Sequence, residues 1–485
     1  MVTHVPTVGA GGPGNGDAAD DETLTSGGEA GRSERPRPSV CAVTRSLRHD
    51  LYAVGAAALL VTAAVLVGRH LQDTRHTLFV HWPPVLAEWD PHLGPGTPVA
   101  LAVAAAVVAY GPALAARLPW PALPAAVWAA GTAWIASLAL VDGWQRGIAG
   151  RLTTRNEYLR VIGRFDDIPA TLRDFTGHIV SGTPDPWPAH VAGHPPAATL
   201  TFVLLDRAGL HGGGWAGMWC VVVGATGAAA VLVAVRELAG EALARRAAPF
   251  LVLAPAAVWQ GTSADGYFAA VAAWAVALLA LALTRRSPAW AAGSGLLSGL
   301  TCYLSYGLTL FALLGAAVLL LGRRDLRERP TVLLAFAAGL AVLPLVFTLL
   351  GFDWFEAYHL LITRYYQGVG GKRPYGYWVW ANLACTVLIT GAATAAGLRR
   401  TGAVLLRART GPTAPVRLAV LVGVALLALL VADASGMSKA ETERIWLPFA
   451  LWLLPAGAFL TRPRAWLAGQ AVLALLLNHL LLTGW

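Results

Sequence analysis

The sequence predicts an all-α polytopic membrane protein, and three observations carry that expectation. Of 485 residues, 56% are hydrophobic and 13% are charged, and that charged share is about half the ~25% of a soluble domain. The apolar residues fall in long runs, many of them sufficient to cross ~30 Å of hydrocarbon as helices. The basic residues punctuate these runs instead of gathering on one soluble module, so the net charge of +9 does not read as a nucleic-acid surface and no nucleic-acid partner is expected. Cys41, Cys220, Cys302 and Cys385 are far apart, and three lie in or beside apolar runs, so neither a disulfide framework nor a C-x-x-C metal site can be read from them. The Ala, Val, Leu, Gly and Arg bias resembles a high-GC bacterial proteome and suggests a bacterial cell membrane.

Residues 1–44 are rich in Gly, Pro, Asp, Glu and Ser and lack apolar periodicity, which predicts a disordered tail. About 50 residues precede the first apolar run and no cleavage pattern opens the chain, so a signal peptide is not expected. The remainder, 45–485, reads as the transmembrane domain. Eight runs are long enough to cross on their own: 51–68, 97–116, 122–141, 214–235, 264–284, 331–350, 378–397 and 465–483. Shorter or Gly-interrupted runs at 247–260, 288–303, 306–322, 418–433 and 446–461 are also expected to cross, since neighbouring helices can satisfy an interrupted backbone. About thirteen spans result. A further run at 196–210 is cut short by Asp206 and Arg207 and reads as a half-helix at the outer face.

Short loops rich in arginine are expected to be cytoplasmic, and the N-terminus with them. They contain Arg45 and Arg48, Arg236 with Arg245 and Arg246, Arg285 and Arg286, the 323–329 and 399–417 clusters, and Arg462 with Arg464. The same threading places 142–195, 261–266, 351–377 and 434–445 outside. The large loop 142–195 contains Asp142, Arg146, Arg151, Arg155, Glu157, Tyr158, His178, His190 and His194 among its ionisable residues. Taken singly, each of these fits an ordinary solvated loop.

Two more outer segments bring chemistry to the ends of spans. In Thr262-Ser263-Ala264-Asp265-Gly266-Tyr267, Asp265 either caps the helix that follows or faces a polar cavity, because a carboxylate at membrane depth is costly without a partner. In Lys439-Ala440-Glu441-Thr442-Glu443-Arg444-Ile445-Trp446, the charges and Trp446 either anchor the helix at the interface or present Arg444 as a phosphate clamp, the guanidinium fork matching phosphate oxygens. The segment Lys372-Arg373-Pro374-Tyr375-Gly376-Tyr377-Trp378 repeats the basic-plus-aromatic theme. Two such clusters flanking a carboxylate-bearing loop suggest an anionic, amphiphilic ligand.

With these residues in view, the chain resembles the glycosyltransferase C superfamily, in particular the branch of protein O-mannosyltransferases and aminoarabinose transferases. That family joins many spans to a large outer loop, with its juxtamembrane helices, in which an Asp-Glu pair is followed by Lys-Pro-Pro or His-Pro-Pro. Here Arg155-Asn156-Glu157-Tyr158-Leu159 and Gly193-His194-Pro195-Pro196 occupy those places, with 37 residues from Glu157 to His194, and Ala264-Asp265 resembles the family's acidic turn heading a later helix. Two departures stand out. The Asp of the pair is Asn156, and three spans precede the loop instead of one.

The resemblance implies transfer of a hexose or pentose, with inversion, from a polyprenyl-phosphate donor to a glycan or protein acceptor at the outer face of the cell membrane, within the cell envelope. Glu157 is then the first candidate for the base, with Asp142 as its alternative and Asp265 as a further acidic group. His194, Arg155, Tyr158, Lys372, Arg373, Tyr375, Glu443 and Arg444 are candidates for binding and orienting substrate. His194 before Pro-Pro fits equally a structural role at the turn where the loop re-enters the membrane. The superfamily contains both members that use a divalent cation and members that do not, and the His and Asp residues here show no ligand spacing, so the resemblance leaves a metal open. A secondary transporter or lipid-linked-sugar flippase is the competing expectation; it calls for polar or broken segments near the midplane of both halves, and no internal repeat pairs such segments. A non-catalytic scaffold is the third, and it predicts that Glu157, Asp265 and Arg444 lie apart.

Overall fold

Runs of Ala, Leu and Val with polar residues confined to their ends leave the backbone one means of satisfying itself in lipid, the α-helix, and helices dominate the computed structural model of the chain. It describes residues 40–322, 330–408 and 411–484, with side chains from residue 46. The 1–44 tail, apart from the backbone at 40–44, and the arginine cluster at 323–329 lie outside the described residues. The chain divides after Arg45, and Ser46–Trp485 forms one unit.

Among the described residues, eight helices are long and apolar enough to cross a membrane. They are α1 (Ser46–Arg75), α2 (Thr97–Arg117), α3 (Ala122–Ala139, prolonged by a turn to Asp142), α6 (Gly212–Ala239), α8 (Ala264–Thr284), α11 (Pro330–Leu349), α13 (Tyr375–Arg407) and α14 (Ala414–Ala434). Shorter helices complete the set. In the large loop and at its end these are α4 (Ile168–Asp174) and α5 (Ala197–Arg207). Further on come α7 (Glu241–Val252), α9 (Pro288–Leu304), α10 (Phe311–Leu321), α12 (Trp354–Gln367), α15 (Thr442–Ile445), α16 (Leu447–Leu453) and α17 (Pro463–Leu480).

The short runs behave as their breakers dictate. The 247–260 run is interrupted after Val252 at Pro255 and resumes as a single turn at Ala257–Gln260. The 446–461 run divides into α16 and a tighter turn at Leu454–Phe459, with Pro455 at the junction. The 196–210 run yields α5, an 11-residue helix, whose ~16 Å length is about half a bilayer core. Arg207 closes it back onto the loop by donating to the Phe165 and Asp166 carbonyls at 2.7 and 2.8 Å. The 465–483 run is shorter as a helix than the sequence predicts: α17 stops at Leu480, and Leu481–Thr483 form strand β2, antiparallel to β1 (Ala87–Trp89). That ribbon ties the C-terminal segment to the loop after α1, on one end of the bundle.

Helix α8 is central, 89% of its apolar window being buried against 11% for α1. Small residues permit close approach there, as where Gly224 of α6 lies against the backbone of Gly266. The two ends of the bundle differ in charge. At one, Asp50 is enclosed by Arg399 and Arg400 at 2.8 and 2.5 Å, Arg246 reaches the Leu460 carbonyl, Arg245 the Ala115 and Leu118 carbonyls, and Arg464 that of Ala109. The arginine-rich loops described therefore share one end. The loop 142–195, the start of α8, the 350–374 segment and the 435–446 segment gather at the other.

Candidate active site

At the end away from the arginines, residues distant in sequence converge. A small pocket is lined by Glu157 and Tyr158 from the large loop, His190 from the same loop, Thr262-Ser263-Ala264 at the head of α8, Arg444 of α15, and Arg151. Glu157 is buried, and its Oε1 lies 2.8 Å from Nδ1 of His190. A carboxylate only accepts, so His190 Nδ1 carries the proton and fixes that carboxyl oxygen's orientation. The exposed Asn156 beside it contributes main chain, its carbonyl accepting from the His190 amide at 3.0 Å.

The head of α8 resolves the two readings of Asp265. Ser263, not Asp265, is the capping side chain, its Oγ accepting from the Asp265 amide at 3.2 Å. Asp265 is left to form a buried ion pair with Arg444. Arg444 also meets Glu441 at 3.4 Å, and Glu441 meets the buried Arg373 at 3.2 Å. Arg373 in turn donates to the Leu78 and Lys439 carbonyls. Buried charge survives only when paired and hydrogen-bonded, and this relay pairs each member with the next. Burial opposes the Arg444 charge, but Asp265, Glu441 and Glu157 outweigh it and raise its pKa; burial likewise opposes the Glu441 charge, and Arg444 and Arg373 pull that carboxyl below its ordinary range. The turn carrying Glu441 is itself strained, Ala440 and Glu441 both adopting left-handed backbone at φ 68° and 61°, which costs on the order of 1–3 kcal/mol per residue and occurs where a site over-determines its geometry.

Tyr158 lines the pocket and is backed by His194. Nδ1 of His194 lies 2.7 Å from the His190 carbonyl and 3.1 Å from the Tyr158 hydroxyl. The carbonyl fixes the proton on Nδ1 and leaves Nε2 as the acceptor. Burial lowers the His194 pKa to about 4 despite Asp265 nearby, so the ring is neutral at pH 7, and burial pushes the Tyr158 hydroxyl well above its usual range.

Glu157, Tyr158 and Arg444 therefore share one pocket. Asp265 joins them through Arg444, His194 through Tyr158, and Arg373 through Glu441. Asp142 lies in an adjoining pocket, bound to His92 and Arg151 at 2.9 Å each and to Arg146 at 3.4 Å. Arg155 is exposed and lines neither pocket. Lys372 is exposed over the Phe79 ring, Tyr375 is exposed and donates to the Ala434 carbonyl, and Glu443 turns away to accept from the Leu86 amide at 2.9 Å. His190, Arg151 and Glu441 are the contributors that sequence reasoning did not single out. Their signals were weak: an unspaced loop histidine, an arginine tolerated in any long loop, and an acid beside a more conspicuous Arg444.

Among the described residues, no three His, Cys, Asp or Glu side chains are disposed to hold a metal ion. The pocket's Glu157 is engaged by His190 and its neighbour Asp265 by Arg444. This donor set does not fit a divalent cation. Deeper between the helices, a cavity lined by Gly131, Ile135, Ala225, Leu251 and Leu451 is apolar apart from Gln260.

No protein-family model matches the chain, and no curated protein matches it. Solved structures similar to it include the oligosaccharyltransferase of Archaeoglobus fulgidus in several forms. The apo form has 15% identity over 69% of this chain and 50% of that chain, with a TM-score of 0.46. The complex with Zn and sulfate has 16% identity over 71% and 53%, with a TM-score of 0.42. The form tethered to an acceptor peptide containing the NVT sequon has 13% identity over 69% and 49%, with a TM-score of 0.40. The chain spans about half the length of those structures.

Proposed function

We propose that the chain is a membrane glycosyltransferase of the glycosyltransferase C type, moving a hexose or pentose from a polyprenyl-phosphate donor to an acceptor at the outer face of a bacterial cell membrane, with the N-terminus cytoplasmic. The observation that carries this reading is the convergence of Glu157, Asp265 and Arg444, successive members more than 100 residues apart in sequence, at the end of the bundle opposite the arginine-rich loops. The positive-inside rule makes that end external, where a lipid-linked sugar phosphate would enter from the bilayer's edge.

Glycosyl phosphates carry a good leaving group, so the protein has two tasks. Glu157, oriented by His190, takes the proton from the acceptor hydroxyl as its oxygen bonds to the anomeric carbon from the face opposite the phosphate. The bond from that carbon to the phosphate oxygen breaks, its electron pair leaves with the polyprenyl phosphate, and the configuration inverts. Arg444 meets the departing charge, its guanidinium held in place by Asp265 and Glu441, and Arg373 reinforces it through Glu441. Tyr158 lines the sugar side as a neutral hydrogen-bonding group, its hydroxyl backed by the neutral His194 ring.

The transporter reading is not favoured by the cavity between the helices, whose lining is apolar apart from Gln260. A purified, nanodisc-embedded preparation supplied with polyprenyl-phosphate sugars and glycan or peptide acceptors is expected to form glycosylated acceptor and release polyprenyl phosphate. Translocation of the intact donor across proteoliposomes, with no glycosidic product, would assign transport instead.

A further inference from the structure

Arg444 reaches the Glu157 pocket from the segment that joins α14 to α15, and one buried side chain outside the pocket brackets the turn in that segment. Asn382, near the start of α13, is 1% exposed. An amide buried within a span is costly unless its donors and its acceptor are met, and here all its partners belong to α14, the segment and α15. Its Nδ2 donates to the Ser438 carbonyl at 2.7 Å and to Oδ1 of Asp433, at the end of α14, at 2.9 Å. Its Oδ1 accepts from the Thr442 hydroxyl at 3.4 Å. The Ser438 carbonyl only accepts, so the amide nitrogen faces it and the oxygen is left for Thr442. Ser438 precedes and Thr442 follows the left-handed pair Ala440 and Glu441, a backbone that non-glycine residues keep only where their surroundings over-determine it.

We propose that Asn382 is a positioning residue for the transfer reaction, acting through this turn to aim Arg444 at the departing phosphate. The inference rests on the transfer reading above. Asn382 does not line the pocket, so its effect passes through the chain it holds. Thr442 opens α15, which places Arg444 two residues beyond a point that Asn382 fixes. Glu441, which meets Arg444 at 3.4 Å, lies inside the bracketed turn. The Arg444 and Ile445 amides both donate to the Glu441 carbonyl, at 3.1 and 3.0 Å, so a slip of the turn carries the guanidinium with it. Arg373 supplies a second constraint by donating to the Lys439 carbonyl at 2.8 Å, which keeps the segment folded when the Asn382 amide is removed but leaves Ser438 and Thr442 unheld by it. A displacement of ~1 Å in a group that meets the reacting atoms can cost on the order of 10²-fold in rate.

A double-mutant cycle separates positioning from a merely structural role. In nanodiscs supplied with polyprenyl-phosphate sugars and acceptor, Asn382→Leu, close in volume to the native residue, is expected to lower kcat about tenfold or more while the acceptor KM stays within about twofold of wild type. In an Arg444→Gln background the same substitution is expected to change kcat by less than about twofold, because residues that act as one unit do not add. Asn382→Ser serves the same purpose if the leucine variant does not fold. An unchanged kcat in Asn382→Leu, or an equal fall in both backgrounds, as general loosening of the fold produces, overturns the proposal while leaving the transfer reading intact. If the wild type transfers from no donor, the transfer reading fails, and calorimetric titration with dodecyl phosphate decides whether Asn382 sets Arg444. An affinity lowered about tenfold by Asn382→Leu, with no further loss when that change is added to Arg444→Gln, sustains the positioning role. Equal affinities in wild type and Asn382→Leu, or no binding to the wild type, overturn it.

Discussion

Glu157 and Glu443 are both buried carboxyls at the same end of the bundle, and their partners give them different parts. Glu157 faces the pocket with an imidazole holding one oxygen. Glu443 has only the Leu86 amide, its second oxygen being buried without a partner among the described residues, and burial pushes its carboxyl up to about 7. Its folded pKa is raised above the unfolded value near 4.5, so the folded state binds the proton more tightly. Stability is fully present below that unfolded value and falls as pH rises through 7, by on the order of 3 kcal/mol. Glu443→Gln is therefore expected to raise the thermal midpoint by several degrees at pH 8 and to leave it unchanged at pH 5. A destabilised variant at both pH values would show that the carboxylate, and not the acid, is the form the fold requires. These assignments also mark what the sequence made legible. Glu157 and Tyr158 are legible from their spacing to the His194-Pro195-Pro196 turn, Asp265 from a helix start and Arg444 from an aromatic mouth. His190 and Glu441 owe their roles to tertiary contact, and no local pattern announces it.

Helix α13 shows how an element can depart from its sequence period. It runs 33 residues, ~50 Å and longer than a bilayer core, and breaks at Gly391, whose φ of 77° and ψ of 174° lie outside helical space. The freed Thr390 carbonyl accepts from Gln470 of α17 at 2.8 Å, so the break is satisfied by a neighbouring helix. A Cβ at position 391 would overlap the Gln470 Oε1 and would also require a backbone that costs on the order of 1–3 kcal/mol outside glycine. Gly391→Ala is expected to lower the thermal midpoint by several degrees; an unchanged midpoint would mean that α13 straightens without cost. Long uniform apolar runs such as 97–116 and 264–284 declared their helices because the bilayer demands them. Chain ends and proline-broken runs did not, since Leu481–Thr483 becomes a strand only because Ala87–Trp89 is there to pair with it.

Across the whole molecule, the separation of the arginine-rich end from the pocket end determines which compartment the chemistry faces. With native cysteines removed, Arg155→Cys and Lys372→Cys are expected to react with a membrane-impermeant maleimide in intact cells, and Arg286→Cys only after permeabilisation. The reverse pattern would place the pocket inside and exclude outer-face transfer. The central claim is that Glu157 serves as the base of a glycosyl transfer. The measurement that addresses it most directly compares wild type with Glu157→Gln for transfer from polyprenyl-phosphate sugars in the same nanodisc preparation. A fall in kcat of about 10²–10⁴-fold with donor KM little changed is the predicted result, whereas full activity in Glu157→Gln would contradict the account and direct the search for the base to Asp142.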